Sequence, residues 1–425
     1  MFGAGSSVPF DIPGMVGFTD RFIQKYGESP LINNIRDAMG ESEEIIGIPF
    51  SFDLETLLSV LTDLSGAKPK KPISVATSTL LIKHGLNIET ARKKYRSKAS
   101  SSLVKLTEFI FNTCLAPIKK GKKDGNFKFL NNFYGPLMTI LNKTEITNIQ
   151  QSIRRIYSTN WDLCFKTWVD YINLPIHDGT EIDPQSYPIL NIENRIQTSE
   201  GFNYIPLHGS LDFIKEVRLK GEGAYEDIFK ISDPVRYFEG KPENIRKVFF
   251  IYPLEAIGYE ESIRRPYLGM LNHFRSSLRS ESVIFIIGYS LRDPIIGSIF
   301  EEVIAERIRR RFLAPLSEDL DSRKEESSKH PFKIIVLNPR PERLVENLKK
   351  QFNTNLLKTF VPLKIEFPKI MDNQFNEKYK ETLMQLIIDL KQTTSINISE
   401  AARLTRILSS NYNISISEDD FPWKK

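Results

Sequence analysis

The chain has 425 residues, 40% hydrophobic and 26% charged, with a net charge of +5. That is room for two or three domains of roughly 100–200 residues, or one large α/β domain with an insertion, and for a core that needs no staple. Two cysteines in no CxxC spacing, Cys114 and Cys164, exclude a disulfide framework and a cysteine-rich zinc module; the absence of a signal-peptide pattern or an apolar run of about 18 residues argues for a cytoplasmic protein without membrane contact.

The opening stretch MFGAGSSVPFDIPGM suits close backbone approach. Gly3, Ala4 and Gly5 would let the chain come near a phosphate, a following helix start would supply N–H donors, and Ser6 and Ser7 would add hydroxyls. The third glycine of a dinucleotide fingerprint is replaced by Val8, so an ordinary turn also explains the stretch. Such loops follow a strand, yet only Met1 and Phe2 precede Gly3; the expected first strand is extremely short, or lost by truncation or a late start. Next come amphipathic helices over Asp53–Ser65, Ser101–Ile118 and Phe127–Lys143 with no strand between them, read as a helical insertion at residues 51–150.

From Arg154 onward the pattern changes. Apolar, β-branched runs at Arg154–Asn160, Phe202–Ser210, Arg246–Pro253, Ser282–Ser290 and Phe332–Pro339 read as strands. Val283–Ile287 does not alternate, as expected of a parallel strand covered on both faces. Helical stretches at Trp161–Tyr171, Ser262–Ser280 and Pro294–Phe312 separate them, while Asn173–Gly201 reads as irregular and Ser317–His330 as a polar loop. This alternation predicts an α/β fold: a Rossmann-like, doubly wound parallel sheet over residues 1–50 and 151–370, with a helical tail at 371–425. Basic clusters at Lys68–Lys71, Arg92–Lys98, Lys119–Lys123 and Arg307–Arg311 read first as solvated helix faces and second as a phosphate-binding surface.

Three strand ends join the glycine loop as candidates for chemistry. In STNWD, capping by Thr159 or Asn160, with Asp162 in the first helical turn, explains the residues locally; alternatively Asn160 and Asp162 face a ligand at the carboxyl end of a parallel strand. In LHGS, His208 alone among five histidines ends an apolar strand, where an imidazole could serve as a base. In IIGYSLRDP, Ser290 or Asp293 can cap a helix that begins at Pro294, or Gly288, Ser290 and Asp293 can contact a ribose and phosphate. In a doubly wound sheet all these ends share one rim.

In order and register these motifs resemble the sirtuin superfamily, specifically the SIR2-like domains of prokaryotic antiphage defence. Gly3-Ala4-Gly5 and Ile12-Pro13 stand where that family has its GAG loop and Gly-Ile-Pro, and Ser7 falls on its serine. TNWD resembles Thr-Gln-Asn-Ile-Asp, LHGS the His-Gly motif, GYSLRD the Gly-Thr-Ser segment at the NAD ribose, and VLNP, with Asn338, the late strand beside the adenosine. Two scattered cysteines cannot form the four-cysteine zinc module of the deacylases, and Gly14-Met15-Val16 replaces their Asp-Phe-Arg.

The resemblance implies an NAD+ glycohydrolase that needs no metal. NAD+ is the substrate, held by Gly3, Ala4, Gly5, Ser6, Ser7, Pro13, Gly288, Ser290, Asp293 and Asn338. Asn160 would hold the nicotinamide ribose and orient water, His208 would act as base, and Asp162 would bind the carboxamide or position Asn160. It also implies NAD+ depletion in abortive infection, a homo-oligomer, and a separate regulatory partner, a HerA-type ATPase first among them, through which nucleic acid would be reached. A non-catalytic NAD or ADP-ribose sensor, a nucleic-acid-binding subunit and a protein deacylase are the competing readings.

Overall fold

The computed structural model describes residues 1–66, 73–143, 155–182, 188–190, 202–220, 223–241, 244, 247–250, 266–281, 283–289, 293–313, 333–340, 360–370, 375–393, 398–412 and 414. Ser290, the loop 317–330 and the basic cluster 68–71 lie outside them.

Helices fill the first third of the chain: α1 (Met15–Tyr26), α2 (Pro30–Gly40), α3 (Ser42–Ile46), α4 (Leu54–Ser65), α5 (Val75–Lys83), α6 (Ile88–Asp124) and α7 (Lys128–Lys143). Their ends follow local chemistry. Asp53 caps α4 by accepting the Thr56 N–H at 3.1 Å, and Asn87 caps α6 by accepting that of Thr90 at 2.8 Å. Gly66 and Gly125 close the same two helices in the left-handed conformation. Leu54, Leu57, Leu58, Val60, Leu61 and Leu64 are all fully buried, so α4 is the centre of this layer, packed mainly on α6. The helix expected over Ser101–Ile118 extends in both directions to the Asn87 cap and the Gly125 stop. Helices α1, α2 and α3 precede residue 51 yet pack on α4, α5 and α6, so the helical layer begins at Met15.

The central sheet is parallel. Its strands are β1 (Arg155–Ser158), β2 (Ile176–His177), β5 (Phe202–Pro206), β9 (Val283–Ile287), β10 (Lys333–Asn338) and β11 (Phe360–Lys364). Pairing gives β2–β5–β1 on one side and β9–β10–β11 on the other. Phe2 joins the halves, bridging in parallel to Ser158 and to Ile287. Phe2 N–H donates to Tyr157 O at 2.7 Å, Gly3 N–H to Ile287 O at 2.9 Å, and Ile287 N–H to Met1 O at 2.8 Å. Phe2 thus forms a single bridging residue in mid-sheet, held by β1 and β9 from both sides. α8 (Cys164–Tyr171) follows β1, and β9 is flanked by α10 (Tyr267–Ser280) and α11 (Pro294–Leu313). The carboxyl ends of β5, β1, the Phe2 strand and β9 share one rim. The fold is mixed α/β of the Rossmann type, as the alternation of strands and helices predicts.

A second, antiparallel sheet was not legible as such. It contains β3 (Thr180–Ile182), β4 (Pro188–Leu190), β6 (Gly209–Lys220), β7 (Gly223–Lys230) and β8 (Val248–Phe250), ordered β3–β4–β7–β6–β8, with the short helix α9 (Pro234–Phe238) after β7. Of the run expected as a strand at Arg246–Pro253, Val248–Phe250 belongs here, antiparallel to β6, and the rest lies largely outside the described residues; part of the irregular segment forms β2, β3 and β4. A buried ion cluster joins this sheet to the parallel one. Lys166 on α8 is 5% exposed, donates to Asp178 Oδ2 at 2.7 Å and pairs with Asp212, while Lys230 reaches Asp178 at 2.7 Å. Burial would push Asp178 up and Lys166 down; the opposed charges outweigh it, lowering the carboxyl and raising the ammonium. At the end of the chain α12 (Phe375–Thr393) and α13 (Ile398–Tyr412) pack on α7.

Candidate active site

The glycines of the opening loop pack on protein. Gly5 N–H donates to Gly288 O at 2.8 Å, and Gly288 itself has φ +65°. A Cβ on Gly3 would lie 2.5 Å from the Tyr289 side chain, one on Gly5 2.9 Å from Gly288 Cα, and one on Gly288 2.3 Å from Ser6 N. These three positions need glycine because two backbones cross there. The N–H groups of Gly3 and Gly5 are occupied by Ile287 O and Gly288 O. Phosphate contact by this loop would therefore use its other donors.

Beyond Gly3 the loop forms a 3-10 helix, Ala4–Phe10, that carries Ser6 and Ser7 to the end of β1. Ser6 Oγ donates to Gly3 O at 2.8 Å. Ser7 Oγ donates to Asp162 Oδ2 at 2.6 Å, and Asp162 Oδ1 accepts the Cys164 N–H at 3.0 Å. Asn160 Nδ2 donates to Ser6 Oγ at 3.0 Å and to Ser7 Oγ at 2.7 Å. The directions are forced. Ser7 commits its single hydrogen to Asp162 Oδ2 and so must accept from Asn160. The amide nitrogen of Asn160 therefore faces the serines. Its Oδ1 is a buried acceptor without a protein hydrogen bond among the described residues. Asp162 is thus linked to Asn160 through Ser7.

Asn160 and Asp162 line a narrow cleft that is partly open to solvent. Ala4, Ser7, Thr159 and Cys114 also line it, and Ile12, Pro13, Met15, Phe18 and Trp161 make its apolar part. Such a wall suits a flat pyridine ring, and Asn160 lines the same cleft. Met15, Phe18 and Cys114 were not foreseen. They are apolar helix residues with core periodicity, and no sequence pattern separates a cleft wall from a core. Burial pushes the Cys114 thiol well above its usual range, with the Asp162 charge adding to it.

The remaining expected residues stand along the same rim. His208 follows β5, where Leu207 N–H donates to Ser158 O at 2.7 Å and so holds the end of β5 against that of β1. It is 5% exposed and does not line the cleft; its Nε2 lies 2.7 Å from Asp293 Oδ2. Asp293 also caps α11. Asn338 ends β10 and its side chain accepts the Arg340 N–H at 2.9 Å, away from the cleft. The structure thus brings Ala4, Ser7, Pro13, Asn160 and Asp162 to one cleft with Ser6 just behind, places Gly3, Gly5 and Gly288 at a backbone crossing, and pairs His208 with Asp293.

Residues 154–336 match the family model of the SIR2-like domain. The chain carries a SIR2-like domain. The match spans somewhat under half of the chain, from the start of β1 into β10, and so includes Asn160, Asp162, His208, Gly288 and Asp293. No curated protein matches the chain. SIR2-like domains bind NAD+, and the family includes NAD-dependent enzymes, which suggests an NAD-related function. Among the described residues no cluster of three or more His, Cys, Asp or Glu could hold a metal ion, and no helix is long and apolar enough to cross a membrane.

Proposed function

We propose that this SIR2-like protein is an NAD+ glycohydrolase, releasing nicotinamide and ADP-ribose. The observation that carries the reading is the chain Asp162–Ser7–Asn160, which anchors the amide of a residue lining an apolar cleft and leaves its carbonyl oxygen without a hydrogen bond among the described residues. NAD+ supplies a glycosidic bond with a cationic leaving group, so little covalent help is needed and positioning dominates. Asn160 Oδ1 accepts from a hydroxyl of the nicotinamide ribose or from the attacking water. The apolar wall holds the nicotinamide and excludes bulk water. His208 takes the proton that the water loses.

Chromatography of NAD+ incubated with the purified protein tests this. Wild type should release equal amounts of nicotinamide and ADP-ribose, and Asn160→Ala should lower the rate by about 10²-fold or more. NAD+ bound but left intact, with the protein alone and with partner proteins, would overturn the enzyme and leave the sensor.

We further propose, from the resemblance to SIR2-like defence proteins, that the reaction depletes NAD+ in abortive infection and is held off by a separate partner, with a HerA-type ATPase as first candidate and nucleic acid reached only through it. Co-elution in size-exclusion chromatography, with a change in nicotinamide release on mixing, is the expected result; a chain that remains monomeric and unaffected counts against it.

A further inference from the structure

Asp293 divides its carboxylate between two tasks. Oδ1 accepts the N–H groups of Ile295 at 2.8 Å and Ile296 at 3.0 Å, which caps α11. Oδ2 lies 2.7 Å from Nε2 of His208, and both side chains are buried. Burial alone would push the Asp293 carboxyl up; the His208 hydrogen bond and the N–H groups of Ile296 and Ile295 outweigh it and hold it below the usual carboxylate range. Asp293 is therefore ionised and has no hydrogen to give, so the hydrogen between the two must sit on Nε2. In the neutral ring Nδ1 then keeps the lone pair.

Topology makes this pairing more than a local cap. His208 follows β5 and Asp293 follows β9, and β1 and the Phe2 strand lie between them. Three strand spacings separate β5 from β9, about 14 Å. The pair spans the strand ends that carry Asn160 and the glycine loop. A helix cap needs no histidine from across the sheet.

We propose that Asp293 is the positioning residue of this site, holding His208 as the Nε2–H tautomer so that Nδ1 is the proton acceptor. Its use in catalysis rests on the glycohydrolase reading; the tautomer does not. As the water oxygen bonds to the ribose C1′, nicotinamide leaves with the glycosidic electron pair and the water's proton passes to Nδ1, then to solvent.

Asp293→Asn tests the assignment in the full chain. The asparagine Oδ1 still caps α11, but its Nδ2 can only donate to Nε2, which forces the ring hydrogen onto Nδ1. Nitrogen-15 spectra of histidine-labelled protein, with His208 assigned by loss of its signals in His208→Gln, report the tautomer directly. The expected result is Nε2–H in wild type, Nδ1–H in Asp293→Asn with an unfolding temperature close to wild type, and nicotinamide release slower by about 10²–10⁴-fold, the range of a general base. Nδ1–H in wild-type protein overturns the proposal without any variant, as does a switched tautomer with undiminished nicotinamide release. A wild type that shows Nε2–H but never cleaves NAD+ removes the glycohydrolase reading and leaves the tautomer standing.

Discussion

Ser7 and Asp162 lie 155 positions apart in the chain and share a 2.6 Å hydrogen bond, through which the opening loop orients the residue at the end of β1. Removing the hydroxyl should release Asn160 from one of its two anchors and leave a buried carboxylate oxygen without a donor. Ser7→Ala should slow nicotinamide release by about 10²-fold, the cost of misplacing a reacting group by about 1 Å. It should also lose about 1–3 kcal/mol of stability for the orphaned acceptor. A wild-type rate in Ser7→Ala, measured beside an inactive Asn160→Ala, would show that the serine does not position the amide.

The crossing of the opening loop over β9 predicts intolerance at Gly288. A methyl there would stand 2.3 Å from Ser6 N, on a residue with φ +65°. Overpacking at about 1–3 kcal/mol and left-handed backbone strain at about 1–2 kcal/mol together give Gly288→Ala a loss of roughly 2–5 kcal/mol. Denaturant unfolding of Gly288→Ala measures it. A loss under about 1 kcal/mol would mean that the loop can lift off the strand end.

The buried cluster around Lys166 should act as a bolt between the two sheets. Lys166→Met leaves Asp212 buried without the cation it pairs with, while Asp178 keeps Lys230. Breaking a buried pair from one side costs about 3–5 kcal/mol. The same denaturant measurement applies. Unfolding at the wild-type midpoint would show that the cluster is dispensable.

His273 sets a pH dependence of stability. Its Nδ1 lies 2.6 Å from Tyr157 Oη, and burial, with the Arg155 charge adding to it, pushes the imidazole down to about 4. Between about 4 and the usual value near 6.5 the unfolded chain binds a proton that the folded chain refuses, so the contribution is fully present above 6.5 and is lost as pH falls towards 4. Thermal unfolding should therefore drop over that window, and His273→Gln should flatten the drop. Identical pH profiles in the two proteins would locate the acid sensitivity elsewhere.

Much of the architecture was legible because it is local. Asp53, Asn87 and Gly125 mark helix ends through bonds reaching only a few residues, and the unalternating Val283–Ile287 run marks a strand buried on both faces. The hairpin β6–β7 was missed although a signal existed: a strand-length run on each side of Gly221-Glu222-Gly223.

The sequence by itself determined β1, β5, β9 and β10 of the parallel sheet and the helices α8, α10 and α11 beside them, the SIR2-like motifs and the strand-end positions of Asn160, Asp162 and His208, but neither β2 nor β11. Periodicity, caps and short motifs operate within a few residues, so they can be read along one dimension. Only the tertiary structure decided that Phe2 completes the sheet, that Ser7 orients Asn160, that Gly3, Gly5 and Gly288 serve a backbone crossing, and that His208 meets Asp293 85 residues later. Those contacts arise from the order in which strands pair, and strand order is set by burial summed over the whole sheet, which no short stretch of chain encodes.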